Sequence, residues 1–145
     1  LSTGPAEESD VMRVTMQEVA LQVIRDHPWL GVGFNNYLIA IPSYLQGKVV
    51  DTIFVHNIYL LIAAEMGLIG LAVFLLFCAY VLYRGWKSRE TFEGRVLLVL
   101  FIALLAIGWV DYHLIVVQQM RMIFFLSAGL LATRACVVRD YLRAS

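Results

Sequence analysis

Residues 58–83 run through an apolar stretch in which Glu65 is the one charged side chain. A helix rises about 1.5 Å per residue and a bilayer's hydrocarbon core is about 30 Å thick, so roughly 20 such residues cross it. In lipid, every backbone polar group must be satisfied internally, and a single run can meet that demand only as a helix. The whole chain fits the same solvent. Of its 145 residues 61% are hydrophobic and 15% charged, with mean hydropathy +0.77, whereas a soluble domain carries roughly a quarter charged residues. The expected fold class is therefore all-α and integral to a membrane.

A second apolar stretch, residues 96–132, is too long for one crossing. The polar step Asp111-Tyr112-His113 is its natural turning point. This predicts three spans, at about 58–83, 96–110 and 114–133. The basic residues orient them. Seven of the eleven Lys and Arg residues lie in the 84–95 loop and the tail, while residues 1–57 hold three bases against six acids. By the preference of basic loops for the cytoplasm, the loop and tail face inward and residues 1–57 face outward. The expected division is a loop region, 1–57, and a transmembrane region, 58–145. The sequence begins at Leu1 with no signal-peptide pattern, so we expect a C-terminal part of a larger protein. A net charge of zero gives no case for nucleic-acid binding. Cys78 and Cys136 read as buried free thiols.

Within the loop region a helix is expected from Gly4-Pro5 to about Asp26. Proline and the acids Glu7 and Glu8 suit a first turn, and Pro28 pushes His27 out of helical geometry. Met12, Met16, Val19, Ala20 and Val23 form one apolar face. That face could lie on a membrane or a partner helix, or pack as in any helix. Residues 28–52, rich in Gly, Pro and Asn, read as a loop. Gly31 and Gly33 do not make a dinucleotide fingerprint, because position 36 is Asn and no strand precedes them.

The residues able to do chemistry gather on the expected outer face. His56, with Asn57, opens the first span. Histidine is the side chain suited to proton transfer near neutral pH; the plain alternative is a helix-terminal histidine that caps or meets headgroups. Glu65 lies on the opposite side of that helix, and reads as interfacial or packed against another helix. Arg121 falls about two turns into the third expected span, where an arginine costs roughly 2.5–3.5 kcal/mol unless it faces a cavity or partner, or snorkels to the surface. Gln118 and Gln119 would line the same approach. Arg13 borders the apolar stripe and Arg25 ends the helix; both also suit a solvated surface. Asp111 and His113 could support the site or simply form a polar turn.

No metal or nucleotide motif occurs, so neither a metal nor another cofactor is implied. Arginine forks match phosphate oxygens without a metal. Arginines and a histidine at an outer membrane face would suit a lipid diphosphate, a good leaving group once its charge is balanced.

The segment Ile24-Arg25-Asp26-His27-Pro28-Trp29-Leu30-Gly31-Val32-Gly33, followed by Val55-His56-Asn57-Ile58-Tyr59-Leu60 and Ala64-Glu65-Met66-Gly67-Leu68-Ile69-Gly70, resembles the O-antigen ligase and polymerase superfamily. The stretch from Asp111-Tyr112-His113 through Gln118-Gln119-Met120-Arg121 to Gly129-Leu130-Leu131 is similar to that family's C-terminal region. The resemblance covers about residues 12–133. It implies a multi-pass protein of the bacterial inner membrane with a periplasmic loop at 1–57 and a cytoplasmic C-terminus. It implies a glycosyltransferase for polysaccharide or lipopolysaccharide synthesis, with an undecaprenyl-diphosphate-linked glycan as donor and a lipid or glycan as acceptor. It maps a base or acceptor contact to His56 and a diphosphate contact to Arg13. The family's further transmembrane helices lie upstream, so this segment by itself is expected to be inactive. Apart from the resemblance, a non-enzymatic membrane module, such as part of a transporter or an assembly scaffold, would explain the span pattern alone.

Overall fold

The computed structural model describes residues 5–45 and 54–144, with side chains over 11–45 and 54–133. Its elements are α1 (Pro5–Asp26), α2 (Tyr37–Tyr44), α3 (Ile58–Lys87), α4 (Phe92–Val110), α5 (His113–Val116) and α6 (Gln118–Ala144). No strand occurs among the described residues. Helices α3 and α4 are each long and apolar enough to cross a membrane. The chain divides into two compact units, residues 1–73 with 109–112, and residues 74–108 with 113–145.

The first unit is built on α1. Met16, Val19, Ala20 and Val23 are buried, so the expected apolar stripe serves as an ordinary packing face within the described unit. Helix α1 stops at Asp26, as Pro28 requires. The expected loop at 28–52 needs correction: residues 37–44 form α2, while residues 46–53 lie outside the described residues. The cause is a buried stripe of Tyr37, Ile41 and Leu45 at helical spacing. The Tyr37 hydroxyl donates to the Met16 carbonyl at 3.1 Å, tying α2 to α1. Pro42 is tolerated because so short a helix loses at most one internal bond there.

Helix α3 is not continuous. Gly67 has φ 69° and ψ −175°, which breaks the helix into two segments. The break would strand the carbonyls of Ala64 and Glu65 and the amide of Leu68. The loop after α1 replaces the lost partners. Val32 N–H donates to Ala64 O at 3.0 Å, Gly33 N–H to Glu65 O at 2.9 Å, and Leu68 N–H to Pro28 O at 2.7 Å. The backbones approach so closely that a Cβ on Gly31 would strike the Ala64–Glu65 backbone, and one on Gly67 would strike the Trp29 carbonyl. Both glycines also hold positive φ, 64° and 69°, a region costly for residues with a side chain. The Pro28-Trp29-Leu30-Gly31-Val32-Gly33 and Ala64-Glu65-Met66-Gly67 segments are thus two halves of one backbone joint. Glu65 is buried within it and its carboxylate accepts from the Tyr37 amide at 3.4 Å, capping α2. This is the packed role anticipated for Glu65.

The second unit packs Cys78 and Val81 of α3, Leu98, Phe101 and Leu104 of α4, and Phe124, Ala128 and Leu131 of α6 as buried side chains. Phe101 stacks on Phe124 with centroids 5.1 Å apart. Close approach is set at Gly85, where a Cβ would lie 2.9 Å from Leu98 and 3.1 Å from Leu131. The turn from α3 to α4 is held by Ser88 donating to Gly85 O at 3.0 Å and Thr91 donating to Ser88 O at 3.1 Å. Arg84 donates to the Ala132 carbonyl at 2.7 Å.

Helix α4 ends at Val110 and the Asp111-Tyr112 step follows, where the sequence placed the turn. The next helix differs from expectation. One short turn, α5, is followed by α6 starting at Gln118 rather than near 114. Cys78 is a buried free thiol as expected; the Cys136 side chain lies outside the described residues.

Candidate functional site

His56 sits in a tight turn just before α3. The Asn57 amide donates to the Val55 carbonyl at 2.8 Å, an i to i+2 bond that fixes His56 at the apex. Val55 and Asn57 on either side are buried while His56 is half-buried. The turn therefore anchors its flanks and leaves the imidazole partly accessible. The cap of α3 is Asn57, not His56. Its Oδ1 accepts from the amides of Tyr59 and Leu60 at 2.9 and 3.1 Å, satisfying two of the helix's orphan donors. The histidine is thus released from the capping role that its position alone would allow.

Aromatic rings surround the turn. The His56 ring meets Tyr112 edge-on, with centroids 5.0 Å apart and planes at 77°. Phe54 lies 5.5 Å from the same Tyr112 ring, and Tyr59 lies 5.5 Å from Trp109. The end of α4 thereby supplies a wall to the histidine turn. Edge-on contacts of this kind hold a ring in one orientation and add about 0.5–1.5 kcal/mol. Tyr112 and Trp109 were not singled out from sequence. The signal available was the Asp111-Tyr112-His113 triplet, in which the aromatic stands between two polar residues.

Asp111 adjoins Tyr112 in the first unit and is half-buried. Arg13 and Arg25 are exposed on α1. Twelve residues separate them, about 18 Å along a helix axis, so they do not form a ready-made fork. Arg25 lines a surface cleft of about 460 Å³ with Gln22, Asp26, Ser43 and Tyr44. Within it, burial and the hydrogen bond to Asp26 push the Tyr44 phenol above its usual pKa of 10.0. Burial also raises the Tyr37 phenol beneath α2. His113 and Arg121 belong to the second unit and are exposed. Arg121 lies in the first turn of α6, its amide donating to Val117 O at 3.1 Å. It is therefore nearer a helix end than a helix starting at 114 would put it. Gln118 and Gln119 are exposed beside it. Among the described residues no three His, Cys, Asp or Glu side chains gather as a metal site.

The histidine turn, the glycine joint and α1 all fall within residues 4–75, which match the family model described as O-antigen ligase. No curated protein matches the chain, and no solved structure does.

Proposed function

Given that the chain belongs to the O-antigen ligase and polymerase superfamily through residues 4–75, we propose that it serves a membrane glycosyltransferase of that type. The glycan moves from an undecaprenyl-diphosphate-linked donor to a lipid or glycan acceptor hydroxyl at the periplasmic face of the bacterial inner membrane. Residues 1–57 supply the periplasmic part, helices α3, α4 and α6 cross the membrane, and the C-terminus is cytoplasmic.

In this proposal His56 acts as general base. It takes the proton from the acceptor hydroxyl as that oxygen bonds to the sugar's anomeric carbon. The bond from that carbon to the diphosphate oxygen breaks, and the diphosphate leaves with the electron pair. Attack opposite the leaving group inverts the anomeric centre. Arg13 and Arg121 balance the diphosphate charge through charge-assisted hydrogen bonds, without requiring a metal. Arg25 stands third, because Asp26 shares its cleft and offers competing negative charge. Asn57 supports the base by capping α3, while Asp111 and His113 flank Tyr112 at the end of α4. Further transmembrane helices complete the enzyme, and the segment alone is inactive.

The observation that carries this reading is the half-buried imidazole, relieved of capping by Asn57 and held edge-on to Tyr112. His56→Ala in the intact protein is expected to lower glycan transfer by about 10²–10⁴-fold, the usual contribution of a general base, with membrane insertion unchanged. Normal product from that variant would remove the assigned role. Transport activity with no glycosyl transfer by the unmodified protein would instead favour a non-enzymatic membrane module.

A further inference from the structure

The burial pattern of α3 changes at Gly67. Before it, Ile58, Leu61, Ile62, Ala63, Ala64 and Glu65 are all buried within the described structure. After it, none of residues 68–77 is buried, although nearly all are apolar. Residues 68–87 number twenty and span about 30 Å as a helix, one hydrocarbon thickness. The N-terminal segment of α3 thus behaves as a core helix of the first unit, and the segment beyond the break has the length and surface of the crossing itself.

The loop joined to that break carries Trp29, Leu30 and Phe34, which are 67%, 74% and 68% exposed. Its backbone is fixed to α3 by the Pro28–Leu68, Val32–Ala64 and Gly33–Glu65 hydrogen bonds. These side chains therefore stand beside Met66, Leu68 and Ile69, themselves at least 43% exposed. The adjoining backbones thus carry both sets of exposed apolar side chains, which points to one apolar patch at the start of the spanning segment. Between Asp26 and Lys48 the sequence has no acid, lysine or arginine, so nothing charged opposes entry into lipid. Tryptophan and other aromatics favour the depth where headgroups meet acyl chains, and a patch of this kind marks a membrane or partner contact.

We propose that the glycine joint marks the outer edge of the membrane, and that Trp29, Leu30 and Phe34 rest in the lipid interface as an anchor for the extramembrane unit. The membrane boundary on α3 then moves from residue 57 to Gly67, while the histidine turn, whose imidazole meets Tyr112 just past the end of α4, stays at the rim of the membrane. This needs α3 to cross the bilayer and nothing of the chemistry proposed for His56.

Trp86 and Trp109 are the other two tryptophans, so Trp86→Phe with Trp109→Phe leaves Trp29 as the sole indole. The full chain in phosphatidylcholine vesicles should then show stronger quenching of Trp29 by lipids brominated near the headgroup end of the acyl chain than by lipids brominated near the chain end. Soluble iodide should quench it weakly. Because Trp109 contacts Tyr59, the difference between the unmodified chain and Trp29→Phe provides the same measurement without altering Trp109. Three results overturn the proposal: strong iodide quenching with no effect of brominated lipid (a solvated loop), insensitivity to both quenchers (a protein-covered loop), or strongest quenching from the chain ends (a buried re-entrant loop).

Discussion

The amide of Leu68 donates to the carbonyl of Pro28 across 2.7 Å. The donor lies inside a run that hydropathy counts as one helix, and the acceptor lies in the loop that follows α1. An unbroken helix would have bonded that amide to Ala64 O, which instead receives Val32 N–H. The exchange keeps the buried backbone satisfied through a break that would otherwise cost about 1–3 kcal/mol for each orphaned group.

Gly67→Ala tests the joint. The new methyl would meet the Trp29 carbonyl at a φ of +69°, so a loss of about 2 kcal/mol or more is expected. Gly31→Ala should behave alike. Gly129 in α6 has open space at its Cβ position, and Gly129→Ala should be neutral or stabilise by up to about 1 kcal/mol. Thermal unfolding in detergent compares the three; equal midpoints for all would show that the joint contributes nothing.

Glu65→Ala should loosen α2 selectively. It leaves the buried Tyr37 amide without its carboxylate acceptor, at a cost of about 1–3 kcal/mol. Glu65→Gln retains an oxygen and should lose less. Hydrogen exchange over residues 37–44 provides the measurement, with faster exchange expected for the alanine variant than for the glutamine variant.

Tyr112 is expected to position His56 rather than react. Tyr112→Phe keeps the ring whose edge contact is seen at 5.0 Å and should retain most glycan transfer. Under the proposed mechanism Tyr112→Ala should lower kcat with little change in donor KM, since it would misplace the proposed base and leave the proposed diphosphate contacts in place. A matching loss in both variants would point to the hydroxyl instead.

Arg121→Ala should raise the donor KM, because an exposed arginine in the first turn of α6 would act by binding charge. Arg121→Lys should restore part of the affinity, as a lysine keeps the charge but lacks the fork. Unchanged donor affinity in the alanine variant would leave Arg121 a surface residue.

Alkaline pH should weaken the first unit. The Tyr37 and Tyr44 phenols are raised above 10.0 in the fold, so the unfolded chain loses their protons first. Their contribution is intact below pH 10, falls as pH climbs through that value toward the folded pKa, and then levels off. Tyrosinate absorbance should show these two phenols ionising late. Asp26→Asn should move Tyr44 back toward its ordinary value by removing the adjacent charge.

Much of this molecule is written along the chain. The apolar run after Asn57, the stop at Pro28 and the polar step at Asp111 depend on local rules of hydropathy, proline geometry and turn formation, and the helices respect them. The stripe from Met16 to Val23 follows helical spacing in the same way. What sequence alone could not decide depends on residues far apart meeting. Helix α2 formed in a segment rich in Gly, Pro and Asn because Tyr37 and Ile41 found a core and Glu65 a helix to cap. Gly67 interrupts a run with no hydropathy signal of a break, because the Trp29 backbone occupies the space beside it. Tyr112 became part of the histidine turn only through contact across more than fifty residues. Periodicity records which faces a segment can bury, but backbone hydrogen bonds between segments and ring-to-ring contacts are fixed only when the chain closes on itself.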